Sequence, residues 1–105
     1  MDNFTVIYKI LSALEQSMDH DGLDERVISA DKLGISENRR IAILKMLADS
    51  GYVEGVHIRV SVDGIIAVGM NRPRITLRGL EYLEENSLMK RAYKMLKGVK
   101  DILPI

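Results

Sequence analysis

The feature that most constrains this chain is the stretch Ser29-Ala30-Asp31-Lys32-Leu33-Gly34-Ile35-Ser36. Ser29 and Ser36 are residues whose hydroxyl accepts from backbone N–H groups just downstream, so each marks a helix start. Gly34 is the residue type that ends a helix in the left-handed conformation. The spacing predicts a short helix at 30–33, a turn through Gly34-Ile35-Ser36, and a longer helix from Glu37 to about Ser50, stopped by Gly51. Two helices joined by a short glycine-containing turn are the pattern of a helix-turn-helix. In the longer helix Ile41, Leu44, Leu47 and Ala48 share a face, widened by Ile43, and that face must turn inward.

The period then changes. From Tyr52 to Val62 the chain is rich in Val, Ile and Tyr with polar alternation, and Ile65 to Met70 is a second such run. Asp63-Gly64 between them predicts a β-hairpin with a type I′ turn, which needs positive φ at both central residues. Asn71-Arg72-Pro73-Arg74 reads as a polar exit, with a further extended stretch at Arg74-Ile75.

Helices flank this centre. Ile7, Ile10, Leu11, Leu14 and Met18 make an amphipathic stripe in a first helix capped by Asn3, and Val27-Ile28 reads as one minor strand. Thr76 caps a helix to Asn86 with Leu77, Leu80 and Leu83 on one face; Ser87 caps another from Leu88 to about Leu103. Each helix is apolar on one stripe only, so each must lay that stripe against a neighbour. The order predicts an α+β winged helix-turn-helix: a three-helix core, a β-hairpin wing and additional C-terminal helices. Residues 1–86 form the winged-helix domain, and 87–105 form a C-terminal helix that packs on the domain or makes a dimer.

The stretch Ser50-Gly51-Tyr52-Val53-Glu54-Gly55 after a helix, followed by ITLRGLEYLEEN at 75–86, resembles the small phage-related YjcQ-type proteins. Those proteins are similar to winged-helix DNA-binding domains with an added C-terminal helix. The resemblance spans most of the chain, but its motifs are fold motifs and it brings no assigned activity. It implies the fold and leans toward DNA.

Candidate contacts follow from that architecture. The N-terminal exposed residues of the second helix of such a pair meet base edges in the major groove. With Ile41, Leu44 and Ala48 inward, Asn38, Ala42 and Lys45 point outward with Arg39 on one shoulder, whereas Arg40 falls nearer the core side. Asn pairs bidentately with adenine, Arg with guanine, and Lys suits phosphate. Arg59, Arg72 and Arg74 are candidates for wing contacts to phosphate or the minor groove. The tip, Ser61-Val62-Asp63-Gly64, carries an acid and no base, and ordinary solvated faces would hold the same residues. The final helix carries Lys90, Arg91, Lys94, Lys97 and Lys100 against Asp101, and its stripe of Met89, Tyr93, Leu96, Val99 and Leu103 is a candidate dimer or partner contact.

Other chemistries find little support. Fifteen basic residues balance fifteen acidic ones, so charge total gives no argument for nucleic acid. The chain has no cysteine, which removes disulfides, thiolate metal sites and cysteine nucleophiles. An EF-hand template with Gly22 at its sixth position puts Ser17, Asp19 and Asp21 in the first, third and fifth, but Ile28 where the bidentate glutamate belongs. His20 and His57 sit in different elements with no ligand spacing, and the glycines are scattered through turns and strands rather than forming a phosphate loop. No apolar run approaches the roughly 20 residues that cross a bilayer. The expectation is a cytoplasmic, non-enzymatic protein without cofactor or metal: a DNA-binding winged-helix transcriptional regulator, phage-related or bacterial, acting on double-stranded DNA as a homodimer. The competing expectation is a protein–protein interaction module on the same scaffold.

Overall fold

Asp2, rather than Asn3, opens the first helix: its carboxylate accepts from the Thr5 N–H at 2.8 Å. The computed structural model describes residues 2–64 and 66–86. Helix α1 (Asn3–Ser17) buries Val6, Tyr8, Ile10, Leu11 and Leu14. The stripe therefore reaches further toward the N-terminus than the periodicity placed it. Met18, assigned to that stripe, lies past the last turn and is 62% exposed.

The minor strand at Val27-Ile28 is replaced by a 3₁₀ helix at Glu25–Ile28. Asp24 accepts from the Arg26 N–H there, and only Ile28 of the apolar dyad is buried. Local capping decides this conformation, because two β-favouring residues cannot outweigh a capped turn without a partner strand. Helix α2 (Ala30–Leu33) and helix α3 (Glu37–Asp49) follow as the two serine caps predict: Ser29 accepts from Lys32, Ser36 from Arg39. Gly34 joins them at φ 70°, with its N–H on the carbonyl of Asp31 at 3.2 Å. The buried line of α3 is Ile43, Leu44 and Leu47, with Ile41 and Ala48 half-buried beside it.

Strands β1 (Val53–Val60) and β2 (Ile66–Ile75) pair antiparallel as the only sheet among the described residues. The hairpin differs from the expected one in two ways. Gly64 donates to the Ser61 carbonyl at 2.9 Å, and Val60 pairs with Ile66, so the turn centres on Val62-Asp63. Gly64 has φ 84° and Asp63 keeps a negative φ, which rules out type I′ and fits the longer loops built on a type I turn. The second difference is at the base. Asn71 to Arg74, read as an exit, belong to β2, which runs on to Ile75. Glu54 pairs with Arg74 and Val56 with Met70, so Gly55 alone opposes Asn71, Arg72 and Pro73. This three-against-one β-bulge bends the ribbon at its base.

Helix α4 (Leu77–Glu85) starts at Thr76, whose hydroxyl accepts from Gly79 N and donates to the Gly51 carbonyl at 2.6 Å. Leu77, predicted to line its inner face, is 75% exposed. It sits in the first turn, and the buried line is Gly79 with Leu83. A Cβ on Gly79 would stand 2.6 Å from the Ile75 side chain, so the absence of a side chain lets α4 lie directly on the hairpin base. The core joins α1, Ile28, Leu33, the α3 line, Val53, Val56, Ile75 and Leu83. Burying each such side chain contributes about 1.5–3 kcal/mol. The α+β composition and order of elements are consistent with a winged-helix-like fold. The helix expected after Ser87, with its domain boundary, lies outside the described residues.

Candidate nucleic-acid interface

Helix α3 offers a polar face because its apolar line is spent on the core. Asn38, Arg39, Ala42 and Lys45 are all exposed. Asn38 has no side-chain partner among the described residues. Arg39 reaches back toward the start of α1, its Nη1 donating to Asn3 Oδ1 at a long 3.4 Å. Lys45 pairs with Asp49 one turn on, Nζ to Oδ2 at 2.6 Å. An exposed i, i+4 pair of this kind is worth about 0.3–0.5 kcal/mol, so Lys45 parts from Asp49 at little cost.

Arg40 has a different task. It is 13% exposed, donates from Nε to the Ile28 carbonyl at 2.7 Å, and pairs through Nη1 with Glu37 at 2.7 Å. It thereby satisfies the last carbonyl of the 3₁₀ helix and draws the only carboxylate of the first turn of α3 away from Asn38. Its inward position follows from the helical period; its carbonyl partner, twelve residues earlier, left no mark in the sequence.

The wing arginines are divided. Arg59 stands on the outer face of β1 beside His57, opposite Ala67, with no side-chain partner among the described residues. Arg74 pairs with Glu54 across the ribbon at 2.7 Å, and its Nη1 donates to the Arg72 carbonyl at 3.4 Å. Arg72 is exposed, at φ 51° inside the bulge, and has no side-chain partner among the described residues. Arg72 and Arg74 line a cleft with Asp21 of the loop after α1 and Glu25 at the start of the 3₁₀ helix, not with the α3 candidates. The six candidates thus fall into separate groups: Asn38, Arg39 and Lys45 on α3, Arg59 along the ribbon, and Arg72 with Arg74 at its base facing carboxylates. The distal ribbon also exposes apolar side chains, with Val60 65% exposed and Val62 fully so, and Met46 is exposed on α3. The partner stripe Met89, Tyr93, Leu96 and Leu103 lies outside the described residues.

Elsewhere the surface is ordinary in chemistry. The Arg26 guanidinium beside Asp24 holds that carboxyl below its usual range, and the Thr5 N–H does the same to Asp2. Burial against Tyr52 pushes the Tyr82 phenol up. These two rings pack at 5.4 Å, tilted by 44°, with Arg78 over Tyr52, a cluster that periodicity did not reveal. Among the described residues no three His, Asp or Glu side chains gather as metal ligands, and no helix is long and apolar enough to cross a membrane.

Comparison with known proteins gives a family. The family model described as "YjcQ protein" matches residues 8–102. A relative from Bacillus subtilis (strain 168), "Uncharacterized protein YjcQ", is 31% identical over 74 residues, which cover 70% of this chain and 76% of the relative. No solved structure matches.

Proposed function

The chain belongs to the YjcQ protein family, and from that premise we propose that it is a non-enzymatic DNA-binding module, a small transcriptional regulator that reads duplex DNA with α3. The observation that carries this reading is the exposed start of α3. Directly after the Gly34 turn it presents Asn38, Arg39, Ala42 and Lys45 to solvent. Those residue types are suited to base edges and phosphate, and the first-turn acid is already engaged by Arg40. The long Arg39–Asn3 contact and the exposed Lys45–Asp49 pair are weak enough to exchange for a phosphate oxygen. Arg59 extends the footprint along the ribbon. A homodimer would double that footprint on two half-sites.

Fluorescence anisotropy of a labelled duplex, titrated with full-length protein at 50 and 200 mM salt, tests the reading. With about three phosphate contacts, affinity falls roughly 40-fold between those conditions. Asn38→Ala and Arg39→Ala each weaken binding by about 5-fold or more, while unfolding stays as in the wild type. No salt-sensitive binding at micromolar protein rejects the proposal.

A second reading rests on a separate observation. The exposed valines of the distal ribbon, Val60 and Val62, beside a tip that carries Asp63 and no base, suit a protein partner better than a phosphate backbone. Val62→Asp distinguishes the two. It abolishes capture of a partner under the second reading and changes duplex affinity less than Asn38→Ala under the first.

A further inference from the structure

Arg72 is the only non-glycine residue among those described whose φ is positive, at 51°. The left-handed region disfavours an L residue with a Cβ, and such positions persist where the surroundings hold them and the site uses them. Here the surroundings are explicit. Gly55 leaves room for the Asn71 and Arg72 carbonyls, Pro73 is buried behind, and Arg74 donates to the Arg72 carbonyl. The guanidinium so presented has no side-chain partner among the described residues.

Arg72 looks into a cleft of about 400 Å³ between the wing base and the loop after α1. Asp21 and Glu25, both exposed, line the same cleft, and neither closes an ion pair with Arg72. Met18, Leu23 and Pro73 add apolar surface to its lining. A purely anionic ligand would face two carboxylates, and a purely cationic one would face the guanidinium. A ligand carrying both charges satisfies both kinds of group.

We infer that this cleft binds a small zwitterion, a free α-amino acid with an apolar side chain. Its carboxylate takes the planar fork of Arg72. Its ammonium takes Asp21 and Glu25, and its side chain covers Met18 and Leu23. The cleft contains none of the α3 candidates, so this inference stands or falls separately from DNA binding.

Calorimetric titration of the full chain with leucine, methionine and phenylalanine tests it. At least one binds with a Kd at or below about 1 mM. The N-acetyl and amide derivatives of that amino acid, each lacking one charge, bind at least about 10-fold more weakly. Arg72→Gly lowers affinity at least about 10-fold while its unfolding midpoint stays at or above that of the wild type, because glycine adopts the bulge without strain. Asp21→Asn combined with Glu25→Gln has the same effect on affinity. Absence of binding by all three amino acids, equal binding of the uncharged-end derivatives, or unchanged affinity in Arg72→Gly overturns the inference.

Discussion

The turn between α2 and α3 and the base of the wing are both built on a glycine of positive φ, yet they are held by different physics. Gly34, at φ 70°, faces open space: a Cβ there would meet no atom within 4 Å. Gly55, at φ 81°, lies under the opposite strand, and a Cβ would stand 2.6 Å from the Asn71 carbonyl oxygen and 2.7 Å from that of Arg72. The first glycine answers only to its own backbone. The second answers to a strand sixteen or more residues away in sequence. A locally determined turn and a tertiary one can therefore carry the same residue for unrelated reasons.

Substitution separates them. Gly55→Ala carries both the left-handed penalty and a backbone clash that no rotamer relieves, and loses about 2–5 kcal/mol of stability in urea unfolding. Gly34→Ala carries the backbone penalty alone and loses about 1–2 kcal/mol, and Gly34→Asn recovers much of it because asparagine tolerates this conformation. Equal losses for the two alanine variants would erase the distinction. The smallest effect is expected at acid pH. Asp2 and Asp24 cap exposed helix starts with carboxyls held below the ordinary value of 3.8. Their stabilisation is complete above that value and disappears as pH falls through the lower folded-state values. Asp24→Asn should flatten the acid limb of the stability profile slightly, and a steeper limb in that variant would contradict the assignment.

The helix-turn-helix was legible because its signals are local. As caps and stops, Ser29, Gly34, Ser36, Gly51 and Thr76 act within three or four residues of themselves, and each sits where its chemistry requires. The same locality explains the misreadings. Asp2 was a better cap than Asn3, and a capped 3₁₀ turn prevailed over the β preference of Val27-Ile28 because no third strand was at hand. Leu77 had the correct period but lay in a first turn that overhangs the core. On the candidate interface, the outward set on α3 followed from the period once Leu44 was known to point inward. The grouping of Arg72 with Asp21 and Glu25 did not, since those residues lie some fifty positions apart.

By itself the sequence determined where helices begin and end, that a ribbon follows the third of them, and which face of that helix stays polar. Caps, turns and amphipathic periods act over a few residues and are written in consecutive letters. Only the tertiary structure decided the bulge at Gly55, the buried task of Arg40, the direct seat of α4 at Gly79 and the separation of the wing-base arginines from α3. Each of these depends on the close approach of segments distant in the chain, where sterics and hydrogen-bond satisfaction across the contact select the outcome.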